Sequence, residues 1–151
     1  MKNRTKKVIA VIAIFVLIIG AIVVSRFDGS LRGPMFDSLT NVFFNSLVET
    51  YGRDAIVVHS ADAYFKDDWH YYHAAISYFD PKQEIWTDKD LVYYGQTFLS
   101  SSRQLDLNAT LTGSDANYAN AYHEAVQQGE HRAFTAQEIK DSVDAFYNSA
   151  E

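Results

Sequence analysis

Five histidines, His59, His70, His73, His123 and His131, and a complete lack of cysteine set the chemistry open to this 151-residue chain. Without cysteine there is no thiolate metal site, no thiol nucleophile and no disulfide. The densest candidate is the run Asp67-Asp68-Trp69-His70-Tyr71-Tyr72-His73. On a helix, the three-residue spacing would bring both imidazoles to one face, where an ion could sit. The run is rich in aromatic, strand-favouring residues, and an odd offset along a strand sends the two rings to opposite sides. One enzymatic reading follows: a membrane-tethered hydrolase with a metal held by His59, His70 or His73 and a carboxylate from Asp67 or Asp68. His59 would join it from a neighbouring strand.

Other catalytic patterns are lacking. His123-Glu124 has Gln at position 127, so the second imidazole of an HExxH zinc motif is missing. No GxSxG surrounds a serine, no glycine-rich loop could cradle a phosphate and no calcium loop occurs. Asp67 with Asp68, and Asp88 with Asp90 around Lys89, read as solvated carboxylates in turns. No cofactor is implied, and the chain reads as non-enzymatic.

Aromatic residues are the stronger signal. All ten Tyr and both Trp lie beyond the apolar start of the chain, with adjacent pairs Tyr71-Tyr72 and Tyr93-Tyr94. In a strand the members of each pair point to opposite sides. A sheet covered by helices on one side would expose several rings on the other, free to stack on sugars or anchor a protein. Tyr71, Tyr72, Tyr93, Tyr94, Trp69 and Trp86 are therefore the expected partner-binding residues.

These residues need elements to hold them. Val8 to Val24 is an uninterrupted apolar run, VIAVIAIFVLIIGAIVV, which predicts a transmembrane signal-anchor helix over residues 8–25. Four basic residues precede it, and from Arg26 onward nine basic residues face nineteen acidic ones, a net of −10. That split predicts a cytoplasmic tip (1–7) and an extracytoplasmic remainder. An acidic body also excludes nucleic acid as a partner. Residues 26–34, with two Gly and a Pro, read as a stem.

Residues 35–151 read as one α+β domain. Phe36, Leu39, Val42, Phe43, Leu47 and Tyr51 recur at helical spacing, with Gly52 as a stop. A β-rich middle follows: residues 55–58, Tyr64 and Phe65 before a polar turn at 66–68, then 69–79, a reversal at 80–83, 84–87 and 91–99. Over 104–112, Leu105, Leu107, Ala109 and Leu111 alternate with polar residues, which predicts a strand with one wet side. A helix capped by Ser114 or Asp115 should run to about Gln128, with Tyr118, Tyr122 and Val126 on one side. Thr135-Ala-Gln-Glu138 is a capping box opening a last helix with Ile139, Val143 and Phe146 as its apolar stripe. The expected architecture is two layers, an antiparallel sheet of four or five strands packed by helices.

The expected function is a membrane-anchored binding or accessory protein at the cell membrane. It meets lipid through residues 8–25 and engages a protein or envelope component near the membrane surface, as an exclusion or immunity factor or a complex subunit.

Overall fold

A computed structural model describes residues 2–26, 31–96 and 99–148. The chain runs α1 (Lys2–Arg26), α2 (Pro34–Tyr51), β1 (Ile56–Lys66), β2 (Trp69–Asp80), β3 (Ile85–Gln96), β4 (Leu99–Asp106), α3 (Ser114–Gln128), β5 (Glu130–Ala133) and α4 (Ala136–Asn148). It is an α+β protein with one five-stranded antiparallel sheet, order β4-β3-β2-β1-β5.

The first four strands form a meander because two tight turns join its long strands. Asp67 and Asp68, both with positive φ, connect β1 to β2, the conformation that a two-residue hairpin turn requires. At the next reversal Asp80 Oδ1 accepts from the Lys82 and Gln83 amides at 2.8 and 3.4 Å, and Glu84 takes a positive φ. The short apolar runs expected near 55–58 and 64–65 are one strand, bent by an irregularity between Val58 and Ser60.

Alternation gives the sheet two apolar sides, and both are covered. On one side α2 and α4 bury Phe36, Phe43, Phe44, Leu47 and Ile139 against Ile56, Ala61, Ala63, Tyr72, Ala74, Ile76, Leu91 and Tyr93. On the other, α3 brings Ala119, Tyr122 and Ala125 onto Tyr71, Val92, Tyr94 and Leu105. The arrangement therefore has three layers, not the two expected, because the Tyr118–Tyr122 stripe crosses to the opposite side of the sheet. Gly129 makes that crossing close: a Cβ there would lie 2.7 Å from the backbone oxygens of both Ala125 and Phe65.

Other expectations shift in detail. Of the strand expected over 104–112 only residues 104–106 are strand, the end of β4. β4 ends at Asp106, whose Oδ1 accepts from the Asn108 amide at 2.9 Å, while its carbonyl accepts from Ala109. This local turn overrides the alternation. The N-cap of α3 is Gly113, without a side-chain cap bond, in place of Ser114 or Asp115. The Thr135–Glu138 capping box forms as expected, with bonds of 2.8 and 3.1 Å. Of the stem, residues 27–30 lie outside the described residues, and Leu31 is buried in the core.

Among the described residues no helix is long and apolar enough to cross a membrane. The expected span over 8–25 falls within α1, whose side chains beyond Ile19 lie outside the described residues. The large apolar side chains of α1 from Val8 to Ile19 are exposed, from Ile19 at 51% to Leu17 at 72%.

Candidate functional site

The tyrosine pairs split as strand geometry demands, one ring to each side, but none of the four is available to a partner. Tyr71 (5%), Tyr72 (0%), Tyr93 (5%) and Tyr94 (3%) are all buried. Tyr72 lies between Phe36 and Phe43 at 6.1 and 5.0 Å, and its hydroxyl bonds with Thr40 and the Phe36 carbonyl. Tyr94 stacks on Tyr118 at 4.3 Å, and Trp69, half-buried, packs on the same two rings. Of the six expected rings only Trp86 is exposed, at 52%. The expected exposed aromatic side fails because α3 lies on it.

That cover is partial. α3 crosses the sheet near the β1–β2 turn, over Tyr64, Trp69, Tyr71 and Tyr94. Among the described residues no helix packs on the half of the same side toward the β2–β3 reversal, where Trp86 and Val57 are exposed. Cross-strand register places Phe79 opposite Trp86, Ser77 opposite Asp88 and Val57, and Ala75 opposite Asp90 and Ser60. Phe79 and Trp86 pack ring on ring at 5.8 Å. This open half-face is the candidate site.

Its polar groups are joined in rows across the strands. His59 Nε2 bonds with Ser77 Oγ at 2.6 Å, and Ser77 donates to Asp88 Oδ1 at 2.5 Å. His73 Nε2 bonds with Asp90 Oδ1 at 3.1 Å, and His131 Nε2 with Asp62 Oδ1 at 2.8 Å. Tyr122 borders the second row, its ring 6.1 Å from His73. Burial raises its phenol above the ordinary value of 10.0, helped by negative charge on Tyr64, Asp62 and Asp90. The rows orient carboxylates; they do not activate a nucleophile. Ser77 has a single hydroxyl hydrogen and gives it to Asp88, so His59 is the donor to Ser77, the reverse of what a serine nucleophile needs.

Asp88 and Asp90 sit inside β3, not in a turn as expected. Their acidity is sorted by the period of the strand. Lys89, between them, projects to the other side, where its Nζ lies 3.4 Å from Asp106 Oδ2 and 5.2 Å from the centre of the Tyr78 ring. The pattern Asp-Lys-Asp, read as strand, would have shown this concentration of negative charge on one side. What sequence could not show is which half of the sheet α3 leaves bare.

The alternative metal set is divided by the sheet. His70 is fully buried on the α2 side, 4.8 Å from the Phe65 ring, while His73 and His59 are on the α3 side in separate rows. Among the described residues no group of three His, Asp or Glu side chains could hold a metal ion.

Two shallow clefts flank α4. One of about 300 Å³ lies beside Asp37, Arg132 and Glu138; the other, about 210 Å³, lies over Ile56, Val58 and Val143. In the first, Arg132 is held by Glu138 at 2.9 Å and lies over the rings of Phe36 and Phe134, so its charge is already used in joining α4 to the core.

The chain matches no family model, no curated protein and no solved structure. The functional reading therefore rests on the open half-face and on the apolar helix.

Proposed function

We propose that this chain is a membrane-anchored, extracytoplasmic, non-enzymatic binding or accessory protein. Residues 8–25 hold it in the cell membrane, with residues 1–7 cytoplasmic, and the open half-face engages a protein or envelope component nearby. An exclusion or immunity factor and a subunit of an envelope complex are the roles of this class that fit its size. Support for the anchor comes from the unbroken apolar sequence Val8 to Val24, the basic residues before it and the net −10 after it. The outward-facing Val and Ile side chains of α1 add to this, since such a surface in water needs a cover.

The observation that carries the binding role is Trp86, half-exposed beside Phe79 on a sheet surface that the fold leaves bare. Exposed tryptophan set among oriented polar groups is the composition of an interface centre. A photo-crosslinking residue placed at position 86 of the full chain, in its native membrane, should capture a discrete neighbour, whereas one at exposed Val126 of α3 should not. Equal capture from both positions would remove the site. Protease added to intact, wall-stripped cells should digest residues 35–151; digestion only after lysis would remove the address.

A further inference from the structure

The chemistry of the half-face narrows what it can hold, given the binding role proposed above. We propose that its occupant is a cationic segment of a protein partner, an extended stretch bearing arginine or lysine. Asp88 and Asp90 present two carboxylates on this side, and strand alternation has moved the intervening Lys89 to the other. Among the described residues neither carboxylate is paired with a lysine or arginine. Each is oriented through Oδ1 by a neighbouring donor, Ser77 for Asp88 and His73 for Asp90, which leaves Oδ2 for an incoming N–H. Beside them the Trp86 and Phe79 rings, 5.8 Å apart, supply the π surface on which a guanidinium or ammonium rests. Carboxylate and ring together match both halves of an arginine side chain.

The position in the fold argues against lipid as the occupant. The chain enters the domain at Pro34, and Phe36 in the first turn of α2 lies against His70 and Phe134. Tyr51, at the far end of that eighteen-residue helix, packs on Tyr78, next to Phe79. Phe79 and Trp86 are thus about 27 Å along the helix from the point of entry. An anionic bilayer surface would also be repelled by Asp88 and Asp90.

The test uses the full chain in nanodiscs and a fluorescent peptide of alternating arginine and glycine, with binding read by anisotropy. The peptide should bind, and Trp86→Ala should weaken it about tenfold, as should Asp88→Asn with Asp90→Asn. Trp86→Phe, which keeps a ring, should retain most of the affinity. The charge-matched pair Glu49→Gln with Asp54→Asn, exposed but elsewhere, should leave affinity within about twofold. The proposal is overturned if that control pair weakens binding equally, if a citrulline version of the peptide binds as well, or if Trp86→Ala changes nothing. Binding of a soluble amino-sugar oligosaccharide at Trp86 in place of the peptide would overturn it in favour of a glycan. If the peptide fails while crosslinking at position 86 still captures a neighbour, the cationic occupant falls and the binding role stands; failure of both removes the role as well.

Discussion

Tyr72 illustrates how much a single side chain can be asked to do. Its ring is enclosed by Phe36 and Phe43, and its hydroxyl meets Thr40 Oγ1 at 3.2 Å. Burial in these surroundings pushes its phenol well above the usual 10.0. Because the folded state holds Tyr72 and Tyr122 neutral, their contribution to stability is whole below about pH 10 and is lost as pH rises beyond it. Tyrosine absorbance should therefore titrate in two parts, with the buried rings ionising only as the fold opens. A single unperturbed titration would contradict this. Tyr72→Phe should cost about 1 kcal/mol in chemical denaturation, whereas Phe43→Ala should cost about 3–5 kcal/mol by leaving a cavity. Trp86→Ala, at the surface, should stay within about 0.5 kcal/mol of the parent.

Glu138 belongs to the scale of the element, because it fixes where α4 begins. The Thr135 backbone amide, and after it Arg132, hold its carboxyl below the ordinary carboxylate value of 4.5. A lowered value in the fold means that the stabilisation is present above the unfolded value and is lost as pH falls through the folded one. Glu138→Gln should thus remove part of the acid dependence of stability between about pH 5 and pH 3, while changing little at pH 9 beyond a constant offset. Urea unfolding across that range checks it. At the end of α3, Gly129→Ala should destabilise by about 1–3 kcal/mol, since the backbone oxygens of Ala125 and Phe65 leave no room for a methyl group. The capping box, the helix periodicity of α2 and the turn residues of the β2–β3 reversal were readable from sequence because each depends on neighbours within a few positions. The expected strand over 104–112 stops at Asp106 because the side chain of Asp106 forms a turn within the alternating pattern.

At the scale of the whole molecule, adjacent tyrosines implied a sheet with two sides, but not that both would be covered. That fact depends on the path of α3, which packs on β1, an element far from it in sequence. The binding half-face was hidden for the same reason: Phe79, Trp86, Asp88 and His59 are ordinary strand residues until the boundary of the helix above them is known. The proposed anchor is the opposite case, an expectation drawn from one stretch of sequence. Placing Lys at Ile14 and Leu17 should release the chain from membranes on fractionation, since a charge near the centre of a span costs about 2.5–3.5 kcal/mol. Continued membrane retention of that variant after carbonate washing would argue against a spanning helix.

The route of the chain around its own sheet has a bearing on its birth. Residues 56–106 complete the meander before residues 114–128 exist to cover its second side. A polypeptide delivered amino end first must therefore keep Tyr71, Val92, Tyr94 and Leu105 wet until its final quarter arrives. Nascent chains halted at Thr112 should bind a hydrophobic dye or a holding chaperone, and extension through Gln128 should abolish that stickiness.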